Sequence, residues 1–326
     1  MTTSNTATYN ENFTALATDA LMLIGAVAQG ESATTNDLAV CSNFCNKMLK
    51  AWMAQGIHLW TEEEGTLYFI QNQNKYSLSL GNSTKASDGT NTVETTTTAT
   101  INSGSIIPVT SLGTYSQITV GDNIGVVLDS GNIYWSTVSS ISNLNVTIAG
   151  TIPSQVTVGA TVYDYTTQCD RPIEIENNGC RIRDSSGYER RIELKPRADF
   201  MSIPNKSFTA EYPTVCFYTP QMSQGFMYVW PTPSNTVNCL KFSYLRPIQD
   251  ISTNTNTFDL PQEWLECITY NLAVRIAPSY EINLSSGGIT GNPDILRQAA
   301  QYLQDLKAWD STNPYITVRM KPYLYR

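Results

Sequence analysis

The hydrophobic period of this chain changes twice along its length, and that change limits the possible folds more than any other feature. Near the N-terminus Phe13, Leu16, Ala17, Ala20, Leu21, Ile24 and Val27 recur at three- and four-residue spacing, which places them on one face of an α-helix. Thr8 and Glu11 have the spacing of a capping box at its start. After a polar turn around Gly30 to Asn36, a second stripe follows at Leu38, Cys41, Phe44, Cys45, Met48, Leu49 and Trp52, and Gly56 supplies a C-terminal stop. Residues 1–57 therefore read as a hairpin of two antiparallel helices sharing one apolar seam.

From Ile57 to about Ile251 the pattern shortens to alternating runs separated by Gly, Asn, Ser and Pro, the mark of β-structure. Such runs include Thr66 to Ile70, Tyr76 to Leu80, Gly225 to Trp230 and Cys239 to Leu245. Residues 82–162 differ within this region, being rich in Thr, Ser, Asn and Gly. Their evenly spaced runs, among them Ile106 to Thr110, Ile124 to Leu128, Ile133 to Val138 and Asn145 to Ile148, predict an inserted β-sandwich or small barrel. Thr92 to Thr100, low in complexity, is expected to be a mobile loop or edge strand. The host β-rich domain is then 58–81 together with 163–257.

Helical spacing returns at the C-terminal end. Asp259-Leu260-Pro261 opens a helix whose buried stripe is Trp264, Leu265, Ile268, Leu272 and Ile276, and Pro278 ends it. A glycine-rich loop, Ser285 to Gly291, leads to Asn292-Pro293 as cap and first turn of a last helix striped by Ile295, Leu296, Ala299, Leu303 and Leu306. Residues 258–310 form a second helical hairpin, and 311–326 an extended arm. The fold class expected is α+β: a four-helix core from the two hairpins, a large β-rich region with an inserted sandwich or barrel between them, and the C-terminal arm.

Composition excludes several function classes. The net charge is −8, and residues 81 to 165 carry only Lys85 against Asp88, Glu94, Asp122, Asp129 and Asp164. A protein that grips nucleic acid through its phosphates needs a basic face, and the totals provide none. The seven cysteines are scattered without a CxxC pair, which speaks against a disulfide framework or a zinc site and for reduced core residues. Cys41 and Cys45, spaced to share a helix face, have only His58 in the whole chain to help complete a metal shell. No cofactor or metal is expected. The longest apolar run, Ala20 to Ala28, is too short to span a bilayer, so a soluble, unexported chain without membrane insertion is expected.

Two blocks then suggest a family. The run Asn46-Lys47-Met48-Leu49-Lys50-Ala51-Trp52-Met53-Ala54-Gln55-Gly56-Ile57 resembles the end of the second helix in head-to-tail adaptors of short-tailed phages, also called tail accessory or packaged-DNA stabilisation proteins. Leu260-Pro261-Gln262-Glu263-Trp264, continuing through Tyr270-Asn271-Leu272-Ala273-Val274-Arg275-Ile276-Ala277-Pro278-Ser279-Tyr280, is similar to that family's third helix. The resemblance covers roughly 8–60 and 258–310 and leaves the β-region outside it. It implies a structural, non-enzymatic subunit of a virion neck, assembled after synthesis in the host cytoplasm. The implied assembly is a ring, commonly of twelve copies, docked on the portal protein. That ring would pass double-stranded DNA without sequence preference, help retain it, and present a platform to tail or nozzle proteins. The resemblance also implies that the C-terminal arm reaches the portal, where Tyr315, Ile316, Val318, Arg319, Tyr323 and Tyr325 would dock.

Trp52, Trp264 and Arg275 are the candidate subunit-interface residues, with core packing the alternative for the two tryptophans. Arg181, Arg183, Arg190, Arg191, Lys195 and Arg197 form a basic cluster interleaved with acids, and Ser185-Ser186-Gly187 reads as a hairpin turn that sets opposite charges across strands. The competing function is a tail-associated peptidoglycan hydrolase or glycan-binding module within 82–162. It rests on Glu62-Glu63-Glu64 as a source of paired carboxylates, and on Tyr115, Tyr134 and Trp135 as sugar-stacking rings. No GxSxG elbow, P-loop or HExxH motif is present.

Overall fold

The protein is described from a computed structural model that covers residues 9–57, 61–79, 85–284 and 293–311. It is α+β. The described residues form five α-helices, α1 (Phe13–Leu23), α2 (Thr35–Ala54), α3 (Arg197–Met201), α4 (Leu265–Ile276) and α5 (Pro293–Ser311), and strands that pair mainly antiparallel. The chain divides into two compact units, residues 1–60 with 248–326, and residues 61–247.

In the first unit, α1, α2, α4 and α5 share one apolar cluster. Its members include Phe13, Met48, Trp52, Trp264 and Leu272, with Ile295 and Ala299 from α5. The stripes read from the sequence supply this cluster, except that Leu296 of α5 turns outward at 44% exposed. The start of α1 also differs from expectation. Asn12 is its cap, accepting a hydrogen bond from the Ala15 amide, so a box centred on Thr8 and Glu11 falls one turn too early. The box instead occurs on α2, where Thr34 and Asp37 bond each other's backbone amides reciprocally.

Residues 248–257, expected with the β-rich region, belong to this helical unit. Ile248, Ile251 and Phe258 enter its core, and the amides of Phe13 and Thr14 donate to the carbonyls of Asn256 and Asn254. A short apolar run looks the same whether a sheet or a helix pair buries it, which is why the alternation there did not reveal the partner.

The second unit contains a sandwich and a barrel. One sandwich sheet has the long Glu62–Tyr68 and Cys239–Leu245 pair at its centre, in register from Glu62 opposite Leu245 to Tyr68 opposite Cys239. The other is built on the Val215–Pro220 and Gly225–Trp230 hairpin, which Lys75–Leu78 extends. Leu67, Ile182, Leu240, Phe242 and Tyr244 from the first meet Tyr76, Cys216, Met227 and Val229 from the second. All seven cysteines are buried and free, as expected of small apolar side chains.

Six further strands, Thr92–Thr96, Gly104–Pro108, Asn123–Val127, Ile133–Ser142, Asn145–Ile152 and Thr161–Tyr165, make a single sheet whose two edge strands also meet. Their continuations form the Thr97–Val109 bridge, and Thr98 and Thr110 donate to Pro108 and Thr96, so the sheet closes into a barrel. Its interior is aliphatic, from Val93, Ile107, Ile124, Val126, Val138, Val146, Ile148 and Val162. Thr92 to Thr96, expected to be a mobile loop or an edge strand, is the edge strand, paired along its length with Thr161–Tyr165.

Alternation puts Tyr163 and Tyr165 on the barrel's outer face. There, with Trp135, they pack on Tyr68 of the sandwich at centroid distances of 4.9–5.9 Å. Gly125 permits this, since a Cβ there would lie 2.8 Å from the Trp135 ring. Gly125→Ala should therefore cost about 1–3 kcal/mol through overpacking, checked by denaturant unfolding against wild type.

Candidate functional site

The two blocks that suggested a family turn out to be staples of the helical unit. Asn46, in the middle of α2, both accepts from the Ile251 amide and donates to the Ile251 carbonyl, at 2.9 and 3.0 Å. Lys50, one turn on, donates to the Ile248 carbonyl and pairs with Asp250. That ion pair is half exposed and contributes little; the backbone bonds do the pinning. In α4, Asn271 donates to the Ala299 carbonyl and so ties α4 to α5. Tyr280, at the end of the 3₁₀ turn that follows α4, donates to Asp37 in the first turn of α2. The Thr34 and Tyr280 bonds hold the Asp37 carboxyl below its usual range. None of these roles was read from the pattern. The available signal was a polar side chain beside an apolar stripe, at Asn46 and at Asn271.

Trp52 and Trp264 are 2% and 0% exposed, with rings 5.9 Å apart. Both side chains are enclosed by their own helices, which is the core packing weighed beside the interface role. Arg275 is exposed in the last turn of α4, where its charge also suits the helix dipole. The docking-arm residues Tyr315, Ile316, Val318, Arg319, Tyr323 and Tyr325 lie outside the described residues, as do Thr8, His58 and the loop carrying Gly287, Gly288 and Gly291.

The acidic run Glu62-Glu63-Glu64 is strand, not solvated loop. Glu63 accepts from Arg246 at 2.5 Å and from the Tyr244 hydroxyl at 2.9 Å, while Glu64, on the opposite face, pairs with Arg181. Glu63 and Glu64, on opposite faces and each held by an arginine, do not form an acid–base pair with each other, while Glu62 shares the face of Glu64.

The basic cluster is likewise engaged internally. Arg181 bridges Glu64 and Glu189, Arg183 reaches Glu94 of the barrel, and Arg190 lies over the Tyr212 ring. The hairpin at Ser185 to Gly187 forms, yet its register sets Arg181 opposite Arg191. The same register sets Arg183 opposite Glu189, and Arg181 pairs with Glu189 across the hairpin, while Glu64 and Glu94 supply further partners from other strands.

Of the three barrel aromatics, Tyr115 is fully exposed, Tyr134 is half-buried against the barrel core, and Trp135 is enclosed between Tyr68 and Tyr165. They do not form one stacking platform. Burial pushes the thiols of Cys41 and Cys45 up to about 12, so neither is a thiolate at neutral pH. Among the described residues there is no cluster of three or more potential metal ligands, and no helix is long and apolar enough to cross a membrane.

A family model described as SU10 adaptor protein matches residues 138–317, more than half of the chain. The match begins in the barrel, runs through the rest of the β-rich unit, and includes α4, α5 and the block from Leu260 to Tyr280. No curated protein matches the chain. Among solved structures, VP17, a capsid protein of bacteriophage P23-77, aligns over 61% of this chain and 77% of its own at 10% identity, with a TM-score of 0.11 that carries no argument.

Proposed function

This chain belongs to the SU10 adaptor protein family, and we propose that it is a structural subunit of a phage virion that joins head to tail. The reading is a ring, of twelve copies, seated on the portal protein. It extends the DNA channel, helps retain packaged DNA, and offers a platform to tail or nozzle proteins. The family match across both units carries this reading. The network in the helical unit supports it, because Asn46, Asn271 and Tyr280 make a rigid body of helices that a ring can repeat. Arg275 is assigned to the contact with a neighbouring subunit, and the residues beyond α5 to the portal.

The test is assembly. Purified chain mixed with the portal protein of the same phage should give one complex of discrete stoichiometry by native mass measurement, while the chain alone should stay monomeric or weakly associated. Failure to form any complex with a folded portal ring would sink the reading. A stable dodecamer without portal would overturn only the templated order of assembly.

Glu63→Gln separates the adaptor from the hydrolase alternative. Losing the charge-assisted bond to Arg246 should lower the stability of the β-rich unit by about 1–3 kcal/mol. Portal binding should be unchanged, because Glu63 is committed to Arg246 and Tyr244 within its own unit. Peptidoglycan cleavage by the wild type that disappears in this variant would instead favour the hydrolase.

A further inference from the structure

The barrel interior is aliphatic except at one end, where two carboxyl groups meet. Asp164, in the Thr161–Tyr165 strand, is 0% exposed, and Asp122, just before Asn123–Val127, is 1% exposed. Strand alternation turns Asp164 inward with Val162, and register places it between Val93 on one side and Ile124 on the other. Asp122 is well supplied with donors: the Thr119 amide and hydroxyl both reach one of its oxygens, at 2.6 and 2.9 Å. No donor among the described residues reaches either oxygen of Asp164, and the acid nearest in register is Asp122, two residues before its partner Ile124 and buried like it.

Two carboxylates have only acceptors to offer each other, so a bond between them requires a proton on one. The distribution of donors says which. Asp122 already accepts two bonds from Thr119, whereas Asp164, in an aliphatic setting, has no donor among the described residues, so the proton belongs on Asp164. We propose that Asp164 is a neutral acid donating its proton to Asp122, and that this shared proton is a pH-sensitive latch on the barrel. Losing it sets two buried negative charges side by side and loosens the Asn123–Val127 and Thr161–Tyr165 strands around them.

Among the described residues, the other titratable groups near the pair are tyrosines: Tyr134, which shares the inward face of its strand with Ser136, and Tyr165, whose hydroxyl the Asp164 charge helps push up. Thr92–Thr96 presents Val93 and Thr95 inward and turns Glu94 outward to Arg183; Ile133–Ser142 presents Ser136 and Val138. On the acid's own strand, Tyr163 and Tyr165 point outward to Tyr68. Desolvation and Asp122 together push the Asp164 carboxyl up to about 8. The ordinary carboxyl value is roughly 4. A folded value above the unfolded one gives stability that is complete below pH ~4, is lost progressively as pH rises to about 8, and is level beyond that. The inference does not depend on the adaptor reading, since it concerns the barrel alone.

The test uses the full chain. Wild type should melt roughly 5–10 °C lower at pH 8.5 than at pH 5.5, and most of that difference should vanish in Asp164→Asn, whose amide still donates to Asp122. Infrared spectra of wild type at pH 7 should show the carbonyl band of a protonated carboxylic acid that Asp164→Asn lacks, a readout that does not depend on melting. An absent band, or a melting difference that survives in the variant, would overturn the latch. So would a wild-type melting point at pH 7 that falls on adding a chelator, since the pair would then be holding a divalent cation rather than a proton.

Discussion

Replacing Trp264 with alanine should destabilise the helical unit by about 3–5 kcal/mol, the range for emptying a buried aromatic site. The ring is wholly enclosed, rests on Trp52, and sits where helices from both ends of the sequence converge. Rigid helices on several sides cannot collapse into the space it leaves, so the loss should fall in the upper part of that range. Trp52→Ala should act similarly. The double variant should lose less than the sum, because each single change already removes the contact between the rings. Arg275→Ala, on an exposed turn, should change protomer stability by no more than a few tenths of a kcal/mol. Denaturant unfolding at concentrations too low for association provides the check. If the tryptophan variants unfolded like wild type and only assembled poorly, the rings would be interface anchors after all.

The contrast between Trp264 and Arg275 shows what the sequence could and could not convey. Period identified both helical ends and placed most of the core residues of α1, α2, α4 and α5 on the correct faces, because a helix must bury its apolar stripe somewhere. Period does not say against what. Trp52 and Trp264 lie about two hundred positions apart, and their mutual contact follows from the tertiary path of the chain. The same limit explains Ile248 and Ile251, whose apolar run belonged to the helices rather than to the nearby strands. In the barrel, alternation located the strands to within a few residues, but closure depends on the pairing around Thr97 and Val109, which no local pattern signals. Charge was the least legible feature. Glu63 and Arg246 lie at the two outer ends of the β-rich unit, and only the strand register brings them together. Asp164 could not be told from a surface aspartate, since its burial is set by the closed barrel around it.

Removing residues 312–326 should leave the melting of both units unchanged and abolish portal binding. The segment holds Tyr315, Ile316, Val318, Met320, Tyr323, Leu324 and Tyr325, with Arg319, Lys321 and Arg326 and no acid, a content too apolar to be left in water without a partner. Pro314 and Pro322 oppose any continuation of α5, which favours an extended arm. An extended arm gains affinity by adding backbone hydrogen bonds at a sheet edge or groove, with alternate side chains filling pockets. In an extended arm, alternation would set Tyr315, Arg319, Tyr323 and Tyr325 on one face and Ile316, Val318, Met320 and Leu324 on the other. Buried aromatic anchors are worth about 2 kcal/mol or more each. Losing two of them already weakens binding by roughly a thousandfold. The α4–α5 pair is already tied by Asn271 to Ala299, so stability should be retained. The discriminating result is the melting curve. A truncated chain that is insoluble or melts far below wild type would mean that the arm completes the protomer's own core, and the portal contact would have to be sought elsewhere on the chain.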